Sequence, residues 1–345
     1  MKGLRKYLTP FAPDQSGAVS VLYELGGIVV ICDAGGCTGN ICGFDEPRWH
    51  TCRSAVFSAG LRDMDAILGR DDKLVAELVD AAGKIEARFA AIVGTPVPSV
   101  IGTDYLALRR MTEKKVDLPV LTVDTTGMEL YDVGAEKAYL ALIRRFAREP
   151  QRTIPGRVGV LGVNPLDMSD LRAADQIRQK IPGALCYGMG SGLDDVISAP
   201  SAEKNLVVAP SGLRAAQYLR ERFGTPYEVS DPLAEALLPA GDYAGKRILV
   251  IDQQVRANTL RDILLQKGAS LVHCASWFLM DTTRTQPGDV HLKEEDDFES
   301  LVANGGYDLL IGDQTLWRIV GAFEGETIDL PQFAVSGRLR GDCRD

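Results

Sequence analysis

Four of the seven cysteines, Cys32, Cys37, Cys42 and Cys52, fall between residues 32 and 52, while Cys186, Cys274 and Cys343 stand singly along the remainder. Cys37 and Cys42 lie in DAGGCTGNICGFDEPRW, where several glycines let the backbone pass close to a bulky group and leave a soft ligand exposed. Cys thiolates spaced by a few residues in one loop hold iron–sulfur clusters, and the gap from Cys37 to Cys42, with Cys52 farther on, suits a [4Fe–4S] cluster. Zinc is the rival, since four thiolates close a tetrahedral site, but its usual CxxC knuckles are missing. Asp33 and His50 could complete either kind of site or serve as hydrogen-bonding partners. Cys32 follows the apolar run GGIVVI and reads as a small buried residue.

Other chemistries find little support. There is no GxxxxGK[ST] loop, so any ATP hydrolysis falls to another protein. GVNP (Gly162 to Pro165) and GMGSG (Gly188 to Gly192) lack the full dinucleotide fingerprint, and GMGSG carries Met189 where a nucleophile elbow needs its nucleophile. A chain with an electron site but no nicotinamide or phosphate loop must draw its reducing power from outside.

The elements that position these residues are short apolar runs bounded by Gly, Pro or Asp and separated by helical patterns, the pattern of parallel sheets with crossover helices. GGIVVICDAGG, FAAIVGTPVP and LPVLTVDTTG form a first set, RVGVLGVNP, ALCYGMGSG and KNLVVAPSG a second, and RILVIDQQV, SLVHCASWF and YDLLIGDQ a third. Between the first of these runs, Asp71 to Phe89 places Leu74, Leu78, Ala81 and Ile85 on one helical face. The charged stretch RRFAREPQRTIPG and the turn GDYAGK divide the sets. The expected fold is therefore α/β: three Rossmann-like domains with parallel sheets, at 1–152, 153–240 and from 241 to about 330, with a C-terminal tail to 345 packing back on the first. Ligands of such sheets lie at the carboxyl ends of the strands, here including Asp33 to Cys42, Thr95 to Asp104 and Asp124 to Glu129. Asn164, Gly190, Asp252 and Trp277 stand at other strand ends and could face a substrate in the cleft between domains.

Composition narrows the class. With 46% hydrophobic and 25% charged residues over 345 positions, the chain is expected to be globular, with more than one core. Lys and Arg number 38 against 47 Asp and Glu, a net charge of −9 with no basic block, which argues against nucleic acid. No long uncharged apolar stretch exists, and MKGLRKYLTPFAPDQ has no apolar run behind its basic residues, so the expected location is cytoplasmic, with no membrane contact.

In order and spacing, SGAVSVLYELGGIVVICDAGGC (Ser16 to Cys37) resembles the opening GAxxALxGIxGAxxLxHGPxGC of the nitrogenase component 1 family, which includes dark-operative protochlorophyllide reductase and nickel-sirohydrochlorin reductive cyclase components. SAGLRDMDAILGRDDKL, VGTPVPSVIGTD, FGTPYEV, AGKRILVIDQQ and YDLLIGDQ are similar to further family strings. Cys37 matches the family's first cluster cysteine. The cysteine of the family's TCP loop is replaced around Thr95 and Pro96, an early cysteine near Phe11 is missing, and His and Pro of HGPxGC are gone. The resemblance thus implies one [4Fe–4S] cluster at a subunit interface instead of an eight-iron cluster. Cys37 and Cys42 would be its ligands, with Cys52 or an Asp33 oxygen replacing the lost ones. It also implies a homodimer, or a heterodimer with a related subunit, and an ATP-hydrolysing iron–sulfur reductase as electron donor under anaerobic conditions. The alternative is a non-catalytic carrier or scaffold for a tetrapyrrole or metal-cluster precursor. A structural protein with a zinc loop is a third possibility.

Overall fold

The computed structural model describes residues 5–62, 65 and 71–341. Cys343 and most of the DMDAILGR segment (residues 63–70) lie outside them. The first sheet is built from β1 (Ile28–Ile31), β2 (Ala55–Ser58), β3 (Ala90–Val93) and β4 (Val120–Val123), all parallel, in the order β2-β1-β3-β4. The second repeats that order with β5 (Ile154–Leu161), β6 (Ala184–Cys186), β7 (Ala202–Val207) and β8 (Tyr227–Val229), as β6-β5-β7-β8. In the third, β9 (Arg247–Ile251), β10 (Leu271–Ser276), β11 (Val290–His291), β12 (Leu309–Gly312) and β13 (Glu326–Asp329) run β11-β10-β9-β12-β13. The fold is thus α/β with three parallel Rossmann-like sheets. β1, β3 and β12 are buried throughout, and the carboxyl-terminal parts of β5, β7 and β9 likewise, as parallel sheets covered on both faces require.

Two helices carry the site. Helix Asp14–Leu22 is buried along its whole length and packs on helix Tyr131–Phe146. Two glycines permit the contact: a Cβ at Gly17 would overlap the carbonyl of Tyr131, and one at Gly134 the carbonyl of Asp14. Helix Tyr131–Phe146 also packs against the helix Leu213–Phe223 of the second unit, so residues of both units share one apolar core. A strap of residues 5–13 crosses to the third unit, where Leu8 and Phe11 enter a core with Trp277, Phe278 and Phe298. The Glu295 carboxylate holds this strap by accepting the backbone N–H groups of Lys6, Tyr7 and Leu8 at 2.7–3.3 Å. Near the other end of the chain, Ala334 accepts the N–H of Ala12, and Phe333 N donates to Ser169. No helix among the described residues is long and apolar enough to cross a membrane.

Candidate functional site

The cysteine loop leaves β1 at its carboxyl end. Cys32 is 3% exposed, in the apolar layer on one face of the first sheet, and burial raises its thiol pKa to about 12. Asp33 then anchors the turn: its carboxylate accepts the Thr38 N–H at 2.7 Å, the Thr38 hydroxyl at 2.9 Å and the Ser58 hydroxyl at 2.6 Å. Gly35 takes a left-handed φ of 113°, which starts the short helix Gly36–Asn40 that carries Cys37. A single π-helical turn, Ile41–Asp45, continues it and carries Cys42. Such turns are uncommon and concentrate at functional sites.

Downstream the loop is fastened to helix Asp14–Leu22 and its extension. Asp45 accepts from the hydroxyl of Ser16 at 2.6 Å and from Asn40 at 2.7 Å. Arg48 is buried; its guanidinium pairs with Glu46 and Glu24 at 2.7 Å each and donates to the carbonyls of Ser20 and Gly188. Burial works to lower its pKa, but Glu46 and Glu24 outweigh it and keep Arg48 charged. Asp14 accepts the N–H groups of Thr126 and Gly127 and so holds the loop after β4 on the same helix.

Between these anchors Cys37 and Cys42 are only half-buried. Partial burial raises both thiol pKa values; Asp33 adds to this at Cys37, and Glu46 then Asp33 at Cys42. The thiols are therefore protonated in the chain alone, and a bound cationic metal would have to displace their protons. Cys52 packs half-buried against the core of the first unit, with its N–H bonded to the Arg48 carbonyl. His50 is exposed. Among the described residues no three His, Cys, Asp or Glu side chains are grouped so as to hold a metal ion. The loop of one chain thus offers Cys37 and Cys42 on consecutive turns, with Cys52 as a third half-buried thiol; a four-thiolate group would need donors from a second chain.

A cavity of about 960 Å³ adjoins this loop. Asn40, Gly43, Phe44 and Asp45 form one wall, Gly127 to Leu130 a second, the strap a third and Phe333 to Gly337 a fourth. The strand-end residues Asn164, Gly190, Asp252 and Trp277 are not among its lining. Asn164 is buried and bonds Asp167 both ways; Gly190 donates its N–H to Glu24. Trp277 packs edge-on against Phe11 and Phe298. Asp252 belongs to a buried polar junction between the units, which the sequence did not announce. There Arg256 bonds Asp231 at 2.7 Å and stands 3.5 Å from Asp252. Asp167 accepts from Tyr131, Asn164 and Ser211, and burial, against these bonds, raises its pKa to about 6. Asp132 accepts the Leu279 N–H across to the third unit, and burial, aided by Asp167, raises its pKa to about 7.

Three parallel sheets joined around a glycine-rich cysteine loop define an α/β protein of the nitrogenase-like type. The solved structure "Nitrogenase Cp1 at pH 6.5" superposes with a TM-score of 0.71 at 12% identity, covering 96% of this chain and 87% of that one. "Nitrogenase Cp1 at pH 5" gives 0.61 at 17% identity, with 97% and 78% covered. The profile of the family described as Nitrogenase component 1 type Oxidoreductase matches residues 16–234, and the chain belongs to that family. Two similar proteins are both nitrogenase iron-molybdenum cofactor biosynthesis protein NifE. The one from Clostridium pasteurianum is 26% identical over 181 residues, 50% of this chain and 38% of that protein. The other, from Bradyrhizobium diazoefficiens, is 22% identical over 184 residues, 52% of this chain and 33% of that protein. The match thus spans well under half the length of either relative.

Proposed function

We propose that the chain is the catalytic component of a nitrogenase-like two-component reductase. It would take single electrons from an ATP-hydrolysing iron–sulfur protein and pass them to a substrate in the cavity beside the cysteine loop. The observation that carries this reading is that one short segment does both jobs: residues 36–45 present Cys37 and Cys42 and also supply a wall of the neighbouring cavity. Cys37 and Cys42 from each of two chains would hold the [4Fe–4S] cluster, which when bound supplies one-electron transfer. Asp33 and Arg48 set the loop's geometry at its two ends. Asp33 could become an oxygen ligand only by exchanging its bonds to Thr38 and Ser58, and Cys52 only by leaving the apolar packing around it.

The NifE relatives support a second reading, in which the same loop and cavity hold a cofactor precursor without turnover. Anaerobic purification with iron, sulfide and zinc analysis tests the cluster; stoichiometric zinc without sulfide would refute it. Mixing the protein with a nitrogenase-reductase-like donor, ATP and dithionite then separates the two readings. An electron-transferring component reduces an acceptor in an ATP-dependent way and loses this in Cys37→Ser and Cys42→Ser. A carrier keeps its cluster and shows no ATP-dependent reduction. Retention of cluster and activity in both variants refutes the proposed electron path.

A further inference from the structure

The cavity beside the cysteine loop has an uneven chemistry. Phe11, Phe44, Met128 and Phe333 set apolar surface among its polar walls, and Phe44 and Met128 are 74% and 78% exposed. Large apolar side chains standing open at a concave site are unusual on a surface with no function to serve. One cation, Arg5, faces them from the strap. Its guanidinium stacks on the Phe11 ring, 4.1 Å from the centroid, which fixes the plane of the fork. Its Nη1 is shielded from solvent and has no hydrogen-bond partner among the described residues. Two acids, Glu295 and Glu294, stand close enough to act on its charge, and Glu295 spends its carboxylate on three backbone N–H groups of the strap.

The other charges limit what can enter. Asp45 lines the cavity but is tied to Ser16 and Asn40, and Glu129 stands exposed at its edge. A polyanion would meet one guanidinium against two carboxylates. A molecule with one anionic group meets a single planar guanidinium, the geometry that suits a carboxylate.

We infer that this cavity binds a molecule with a broad apolar body and a single carboxylate-like group, and that Arg5 takes its charge. The inference rests on the reading of the cavity as the substrate or cargo site and narrows what that substrate or cargo can be. It does not depend on the cluster, so it is tested on metal-free protein with no electron donor present.

The probes are 1-anilinonaphthalene-8-sulfonate and its uncharged analogue N-phenyl-1-naphthylamine, titrated by fluorescence into the full chain. With Arg5→Gln the dissociation constant of the sulfonate is expected to rise about tenfold, that of the neutral probe by less than about twofold, and Arg5→Lys to fall between. Millimolar ATP should not displace the sulfonate. Equal weakening of both probes, an unchanged sulfonate affinity, or displacement by ATP would each overturn the inference. Should Arg5→Gln fail to fold, Phe44→Ser at its exposed position keeps the test alive: it should weaken both probes, and no change in either refutes the cavity as the site.

Discussion

The cysteine loop and the acidic junction both lie at carboxyl ends of parallel strands, yet they are built in opposite ways. In the junction, Asp132, Asp167, Asp252 and Arg256 are withdrawn from water and mostly bonded to one another or to backbone. In the loop, the anchoring groups Asp33 and Arg48 are equally buried, but the two thiols between them are left half-open. Burial in the junction spends polar groups on holding three units together. Burial in the loop holds a frame still around groups that remain free to react.

If that contrast is right, the junction should respond to substitution through stability and the loop hardly at all. The largest effect is expected for Arg256→Met, which leaves Asp231 and Asp252 buried without a counter-charge; urea unfolding should show a loss of about 3–5 kcal/mol. Next comes Asp132→Asn. The folded chain holds the Asp132 proton to about pH 7, whereas an unfolded aspartate releases it near about pH 4. Between those values the folded state binds more protons, so stability falls as pH rises through the window. Asp132→Asn should therefore gain on the wild type by about 2–3 kcal/mol between about pH 5 and about pH 8, with a flatter pH profile. A variant that gains nothing over this window would break the comparison. The smallest effect belongs to the loop: in metal-free protein Cys37→Ser and Cys42→Ser should change unfolding free energy by less than about 0.5 kcal/mol. Cys32→Ser, which puts a hydroxyl in an apolar layer, should cost about 1–2 kcal/mol by the same measurement. Equal costs at all three cysteines would erase the distinction between structural and available thiols.

The sequence made the central strands readable, and of the edge strands only β4 and β6. Runs such as GGIVVI, FAAIV and RVGVLGV are buried on both faces and became β1, β3 and β5. β2, β11 and β13 escaped because edge strands are short and half-polar; Glu326–Asp329 alternates with no apolar face, and Val290–His291 has only two residues. The helix expected from Asp71 is present to Lys84, with Leu74 and Leu78 buried. In the site, the glycine-rich loop was legible because its composition is local. The clamp of Arg48 on Glu24 and Glu46 was not, since Arg48 in EPRWH looks like any surface charge until the fold brings Ser20 and Gly188 to it. Asp14 and Asp132 likewise look like ordinary first-turn acids favoured by the helix dipole, yet each reaches a distant backbone N–H. Two of the strand-end loops read from the sequence, 33–42 and 124–129, do contribute walls to the cavity, whereas the strap that closes it has no strand or helix to betray it.

That strap sets an order of events in biosynthesis. The carboxylate that grips Lys6, Tyr7 and Leu8 is 287–289 residues downstream of them. At ribosomal rates of about 5–20 residues per second, the early segment must wait on the order of 15–60 s for its partner to be made. Until then Phe11 has no core to enter, and the wall that carries Arg5 does not exist. A nascent chain can shape its cysteine loop early, but the wall that carries Arg5 is not fastened until translation has passed Glu295.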